Sequence, residues 1–333
     1  MNKILIIQTA FIGDVVLTMP LIEQLTVDYS KPVIDFLTIP SSKNLLENHP
    51  DISNLIIFDK KEKDKGIRGL IRVGKTLAKN RYDICVTPHR SLRSAYLSYK
   101  SGAQIRIGFT NSAYKRAFTY TIEYRKHEHE IKRNLSLINA LGFNHQEIIY
   151  PKIYPDKNDI LTVEKYISFT KNDLFAIAPG SIWPTKRWPL EYYKQVCEIL
   201  VQRRKQVILI GGMDDITLCE YLCMNSSSII SLAGQLTLRQ TYYLLSLCSG
   251  LLTNDSAPLH LGMAAAIPVY AIFGPTVPEF GFAPLGMNGI IIENKDIKCR
   301  PCGIHGHKKC PTKTFDCMET ITPEKVIGHI INR

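Results

Sequence analysis

Long apolar runs are missing from this sequence. No stretch approaches the roughly 18 residues that a membrane-spanning helix needs, and the chain opens straight into MNKILIIQTA, without the apolar segment and small-residue cleavage site of a secretory signal. A cytoplasmic protein is the expectation. Acidic residues are also scarce: 30 Asp and Glu stand against 41 Lys and Arg, a formal charge of +11. That balance favours anionic partners and leaves nucleic acid, phosphorylated small molecules and an acidic membrane face all open. There is no Walker A loop, no GxGxxG fingerprint and no HExxH pair, which weighs against P-loop NTPases, kinases, ordinary dinucleotide enzymes and zincins. No short-period repeat is visible, which weighs against a solenoid.

What is present fits two soluble domains. The chain has 333 residues, beyond the size at which single cores stop growing, with 45% hydrophobic and 21% charged residues. Apolar runs at Lys3–Ile7, Val33–Ile39, Leu55–Phe58 and Tyr82–Thr87 read as strands separated by helical stretches, and Pro20 is expected to kink or restart the first helix. Periodicity weakens between Gln146 and Asp173, which places a boundary there and divides the chain into domains 1–160 and 161–333. The rhythm then restarts at Leu174–Ala178, followed by a helix from about Leu190 to Arg204, strands at Gln206–Ile210 and Ile229–Leu232, and a helix over Leu238–Cys248. Such βα alternation predicts doubly wound parallel sheets, whose ligands collect at the carboxyl ends of the strands, and two successive halves predict a cleft between them.

Chemistry-bearing residues fall at those strand ends. Gly13-Asp14 follows the first strand, where the glycine admits a ligand close to the backbone and the acid faces it, or where the pair merely starts a helix. His89-Arg90-Ser91-Leu92-Arg93 follows Thr87, and with Arg133 offers guanidinium forks suited to phosphate or carboxylate. His127-Glu128-His129-Glu130 lacks the spacing of a metal-binding helix and reads as a turn. In Pro179-Gly180-Ser181-Ile182-Trp183-Pro184-Thr185-Lys186-Arg187, cations precede a helix N-terminus, an unfavourable placement unless an anion sits there. Asp215, after Gly211-Gly212, suits ribose hydroxyls or an N-cap equally. Leu251–Thr276 parses as strand, loop, helix, strand, and Asn254-Asp255-Ser256 stands where a helix N-terminus would seat a phosphate, although Asp255 or Ser256 as an N-cap is the plainer account of the stretch alone.

Nine cysteines complete the inventory. Five lie singly in apolar segments, as reduced thiols in a cytosolic core do. Four crowd together as Cys299-x2-Cys302-x7-Cys310-x6-Cys317, and the wide second gap ranks packing or a reducible thiol cluster above zinc.

The stretches QTAFIGDVVLTMPLIEQL, APGSIWPTKRWPLEYY, TNDSAPLHLGMAAAIPVYAIFGPT and the late CRPC, in that order, resemble the family 9 glycosyltransferases, the ADP-heptose:lipopolysaccharide heptosyltransferases, and most of all their heptosyltransferase II branch. Ala257 stands where that family usually has glycine. The resemblance implies a GT-B fold, two Rossmann-like domains facing across a cleft, with acceptor on the first and nucleotide sugar on the second. It implies Asp14 as catalytic base and Lys186 as the lysine on the donor phosphates. It further implies a donor site of Gly180, Ser181, Asp215, Asp255, Ser256, Ala257 and His260, and an acceptor wall including Gly13, Arg90, Arg93 and Arg133. No cofactor, no metal and no nucleic acid are implied. The partners are ADP-heptose, a phosphorylated lipopolysaccharide core and the anionic inner membrane face. The alternatives are a different nucleotide sugar in the same family, or a non-catalytic binder of anionic surfaces or nucleic acid.

Overall fold

The computed structural model describes residues 2–144, 147–167, 173–223 and 226–332. The chain divides into two compact units, Met1–Tyr154 and Pro155–Arg333. The break comes slightly before the expected 160/161. Asp156 caps the helix that follows, and Asp159 of that helix pairs with Arg239 at 2.6 Å, which ties the segment to the second unit. Part of the weakly periodic stretch, Gln146 and residues 168–172, lies outside the described residues.

The first unit runs β1 (Lys3–Ile7), α1 (Ile12–Asp28), β2 (Val33–Thr38), α2 (Lys43–Leu46), β3 (Ile52–Ile57), α3 (Gly66–Lys79), β4 (Ile84–Thr87), α4 (Leu92–Lys100), β5 (Ile105–Phe109), β6 (Tyr120–Ile122) and α5 (Glu130–Ser136). The second runs α6 (Lys157–Glu164), β7 (Leu174–Ala178), α7 (Leu190–Gln202), β8 (Gln206–Leu209), α8 (Ile216–Cys223), β9 (Ile229–Ser231), α9 (Leu238–Ser246), β10 (Leu251–Asn254), α10 (Ala257–Ala264), β11 (Val269–Phe273), β12 (Gly289–Glu293), α11 (Asp316–Glu319) and α12 (Pro323–Ile331). Every strand pairing is parallel, in the orders β3-β2-β1-β4-β5-β6 and β12-β11-β10-β7-β8-β9. Renumbered from its own first strand, the second sheet has the same order as the first. In each, the chain reverses its winding between the first and fourth strands, so a crevice opens beyond the ends of β1 and β4 and another beyond β7 and β10.

The cores explain why the strands read as unbroken apolar runs. β1 and β7 are covered on both faces; Ile4–Ile7 and Leu174–Ala178 are all buried. Leu5, Ile7, Leu37, Phe58, Leu77, Cys85 and Leu97 pack together in the first unit, and Ile177, Tyr193, Val196, Leu209, Leu252, Ile272 and Met318 in the second. Helix α1 is not interrupted at Pro20, against expectation. Proline removes one N–H there, but Val16, Leu17, Met19, Leu21 and Leu25 are buried around it, and the Asn134 amide donates to the Leu17 carbonyl at 3.0 Å on the same turn.

Candidate active site

In the first unit, the loop leaving β1 carries Gln8 to Phe11 into α1. Gln8 folds back to donate to Thr18 Oγ1 at 3.0 Å and accepts the Ala10 N–H at 3.2 Å, while Phe11 takes the N-cap position. Asp14, three residues on, accepts the Phe11 N–H at 3.2 Å. Its half-buried carboxyl is pushed up from the ordinary 3.8 to about 7, first by burial and then by the nearby Glu130 charge, against the lowering effect of backbone hydrogen bonds and Arg90. A carboxylate that gains and loses its proton near neutrality is suited to general base work.

The loop after β4 supplies the other wall of this crevice. His89 Nδ1 lies 2.9 Å from both Thr9 Oγ1 and Ser94 Oγ, and these two hydroxyls are 3.1 Å apart, so the β1 and β4 loops are laced together. Burial, then Lys60 and Arg90, push the His89 ring down to about 4, which keeps it neutral. Lys60 donates to the Thr9 carbonyl at 2.7 Å, a contribution the sequence did not disclose. Ser91 caps α4 by accepting the Ser94 N–H. Arg90 and Arg93 are exposed, and Arg90 lies over the Tyr124 ring at 4.0 Å.

Arg133 is different and does not belong to a solvent-facing wall. It is 1% exposed, and its guanidinium donates to Glu130 and Tyr124 at 2.8 Å each, to the Arg125 carbonyl at 2.8 Å and to the Lys126 carbonyl at 2.5 Å. Satisfied on all sides, it holds the support behind Asp14 and Arg90 rather than an acceptor. His129 caps α5 through its Nδ1, so the HEHE run is a helix start. Among the described residues, the one trio of His, Cys, Asp or Glu with ligand atoms within 4.8 Å of one another is Glu23, His49 and Asp51. There His49 Nδ1 accepts the Asp51 N–H, while Glu23 also meets Lys152 at 3.0 Å and Tyr154 at 3.1 Å, which makes it a structural knot.

In the second unit, Asn254 at the end of β10 organises the crevice. Fully buried, it accepts the Trp188 N–H and the Tyr193 hydroxyl at 3.0 Å each, and its amide donates to the Pro179 and Gly180 carbonyls at 2.9 and 3.3 Å. One side chain thereby fastens the β7 loop to the β10 loop. Lys186, 8% exposed, reaches from the first loop to Asp255 in the second, with Nζ 2.6 Å from Oδ2. Thr276 Oγ1 donates to the same oxygen at 2.7 Å. Ser256 occupies the N-cap position of α10 but makes no capping bond; its hydroxyl turns back to the Asn254 carbonyl at 3.4 Å. The plainer N-cap account of this stretch therefore gives way, and the head of α10 keeps the character of an anion seat beside a buried ammonium. Ala257 opens that helix and His260 is buried on its second turn.

Gly180 is where it is for a steric reason. A Cβ there would fall 2.1 Å from the Asp215 carboxylate, and one on Gly211 would fall 2.6 Å from Asp215 Cβ. Asp215 closes its own turn by accepting the Gly212 N–H at 2.9 Å. Ser181 accepts the Trp183 N–H on its hydroxyl at 3.3 Å, and its carbonyl accepts from Arg187 at 2.8 Å. Sequence reasoning did not single out Thr276 or Lys60, and it noted Asn254 only as part of the strand-to-helix turn, without its bracing of the two loops. Asn254 and Thr276 stand at the ends of β10 and of the segment after β11, a position that sheet topology marks for ligands.

A family model described as Glycosyltransferase family 9 (heptosyltransferase) matches residues 70–313. Lipooligosaccharide heptosyltransferase 2 of Haemophilus ducreyi is 26% identical over 98% of both chains. Lipopolysaccharide heptosyltransferase 2 of Salmonella typhimurium is 25% identical over 98% of this chain and 97% of its own. Among solved structures, a family 9 glycosyl transferase from Veillonella parvula aligns with a TM-score of 0.87 at 22% identity, covering 99% of this chain and 96% of its own. The ADP-heptose lipopolysaccharide heptosyltransferase II of Escherichia coli aligns at 0.80 and 22%, covering 98% and 97%. The fold is the GT-B arrangement of two Rossmann-like domains that the motifs implied.

Proposed function

The chain belongs to glycosyltransferase family 9, the heptosyltransferases, and from that membership we propose how its two crevices share the transfer of heptose from ADP-heptose to the phosphorylated inner core of lipopolysaccharide. It is a glycosyltransferase, similar over nearly its whole length to heptosyltransferases of the second kind. In this reading the second unit holds the donor. Lys186 and the head of α10 meet the diphosphate, and Asp255, steadied by Thr276, holds the sugar. The first unit presents the acceptor, with Arg90 and Arg93 toward its phosphates and Asp14 toward its hydroxyl.

The steps follow from charge. Asp14 takes the proton of the acceptor hydroxyl as that oxygen attacks the anomeric carbon. The bond from that carbon to the donor phosphate breaks, and its electron pair leaves with ADP. Negative charge then grows on the diphosphate, where an ammonium and a helix N-terminus stabilise it. Attack opposite the leaving group inverts the anomeric centre, and no covalent sugar–enzyme intermediate is needed. A lysine and a helix dipole do here what a divalent cation does at other diphosphate sites, so the transfer is proposed to be metal-independent. The basic surface suits a phosphorylated lipid and peripheral contact with the anionic inner face of the membrane, from the cytoplasmic side.

The observation that carries this reading is the buried Lys186–Asp255 pair at the uncapped head of α10. Incubating the protein with ADP-heptose and a panel of truncated lipopolysaccharide cores, and measuring released ADP, tests it. Acceptor-dependent ADP release is expected with ADP-heptose. Absence of release with every core, or equal release from an unrelated nucleotide sugar, would overturn the assignment.

A further inference from the structure

Between Glu293, the end of β12, and Asp316, the start of α11, residues 294–315 contain neither helix nor strand. Connections of that length are uncommon in compact domains, because ordering the backbone costs entropy that no hydrogen-bond ladder offsets. This connection nevertheless grips the donor crevice. The Arg300 guanidinium donates to the Phe273 carbonyl at 3.1 Å, to the Thr276 carbonyl and Glu293 carboxylate at 2.8 Å each, and also to the Gly274 carbonyl. The Cys302 N–H meets the Pro275 carbonyl at 2.9 Å. On the other side the His307 N–H donates to Thr185 Oγ1 at 2.8 Å, and the Thr185 N–H donates to the His307 carbonyl at 3.2 Å. The segment thus clasps both the loop that carries Lys186 and the loop that carries Thr276.

Apolar packing holds the clasp only near its ends, where Ile297 and Phe315 lie against the core of the second unit, while Ile304 in its middle is 59% exposed. Cys299, Cys302, Cys310 and Cys317 line one small cavity, and none is in a disulfide. Cys299 lies in a turn closed by the Arg300 N–H on the Ile297 carbonyl at 3.2 Å, and the Cys302 thiol, just beyond it, meets the Cys299 carbonyl at 3.3 Å. Cys310 begins a second, closed by the Lys313 N–H on its carbonyl at 3.2 Å, and its sulfur lies 3.3 Å from the Thr312 hydroxyl with the backbone N–H groups of Phe315, Thr312 and Lys313 also directed at it. Cys317 is buried in the first turn of α11, within the core. Four thiolates around a divalent ion carry a net charge of −2, and between residues 298 and 317 Lys298, Arg300, Lys308, Lys309 and Lys313 face a single acid, Asp316. The His307 ring is engaged with the Cys302 carbonyl at 2.7 Å, which leaves the four sulfurs as the donor set.

We propose that these four cysteines bind one thiophilic divalent metal ion, zinc or ferrous iron, as a structural centre that locks the clasp onto the donor loops. Binding exchanges four S–H bonds for four metal–sulfur bonds, releases the protons to solvent and changes no oxidation state. Metal–sulfur bonds of about 2.3 Å draw the sulfurs closer than they stand among the described residues. Cys299, Cys302 and Cys310 lie in the irregular connection and not in a helix or strand, so closure leaves the core and Cys317 in place. This reverses the ranking drawn from the wide Cys310–Cys317 spacing, because the first turn of α11 brings Cys317 back to the cavity.

Elemental analysis of protein purified under reducing conditions without chelator tests the proposal and does not depend on turnover. About one zinc or iron per chain is expected, falling to near zero in Cys302→Ser and Cys310→Ser and unchanged in Cys85→Ser, which alters a core thiol of the other unit. Metal-stripped wild type titrated with Co²⁺ alone should develop sulfur-to-cobalt charge transfer and the visible bands of a tetrahedral centre, a readout independent of how the variants fold. Metal-free native protein with no cobalt spectrum, a spectrum unaltered in Cys310→Ser, or a Cys299–Cys302 disulfide in protein taken directly from cells would each overturn it.

Discussion

Replacing Asp14 with Asn is expected to move activity and stability in opposite directions. In the folded protein the Asp14 carboxyl is pushed up to about 7, whereas in the unfolded chain it titrates near 3.8. Between those values the native state keeps a proton that the unfolded state has released. Stability therefore falls as pH rises through that window and stays reduced above it. Asn removes the loss, so the variant should be more stable than wild type at pH 8 and equal to it below the window. Asp14 is half-buried, and after solvent screening about 1–2 kcal/mol of the effect remains, a rise of a few degrees in melting temperature. Turnover should drop by about 10²–10⁴, the usual contribution of a positioned base, while donor affinity is retained. Wild-type kcat/KM should be half-maximal near pH 7 and about a tenth of its plateau one pH unit lower. His89, pushed down to about 4, does not supply that limb. ADP release measured across pH, calorimetric titration with ADP-heptose and thermal melts at two pH values check the set. Wild-type turnover in the Asn variant, or an acid limb in the ordinary carboxylate range, would refute the reasoning.

Lys186→Ala leaves Asp255 buried with the Thr276 hydroxyl as its remaining side-chain partner, so it should lose about 3–5 kcal/mol in denaturant melts as well as at least tenfold in ADP affinity. Arg133→Met should destabilise the first unit by a similar amount, because Glu130 is left charged and buried, whereas Arg90→Ala and Arg93→Ala should change stability by less than about 0.5 kcal/mol and raise the acceptor KM. An unaltered melt for Arg133→Met would show that the guanidinium is not the structural post described.

Where the sequence was legible, a single physical signal dominated. Lys3–Ile7 and Leu174–Ala178 were read to the residue because central parallel strands are buried on both faces and show as unbroken apolar runs. β5, β6 and β12 escaped because they lie outward in their sheets: Arg106 and Gly108 interrupt one, another spans only Tyr120–Ile122, and the last follows a Pro- and Gly-rich approach. Asp14, Lys186 and Asp255 drew attention because strand ends in such sheets are where ligands gather, and the folded chain does place them beyond the ends of β1, β7 and β10. Arg133 was misplaced because residue type does not distinguish a guanidinium facing water from one closed in by Tyr124, Glu130 and two carbonyls. Thr276 left no trace as a site residue, since its partner Asp255 lies on a different loop and only the folded sheet brings them together.

The position of Asn254 limits how this enzyme can vary. Its one amide is shared by the β7 and β10 loops, so neither wall of the proposed donor crevice can be remodelled without disturbing the other. An altered donor preference would have to arise at the periphery, from side chains such as Ile182 and Met213 that are more than two-thirds exposed and carry none of this bracing. The centre of the crevice is in that sense a fixed die, and its rim is where evolution or an engineer can cut a new shape.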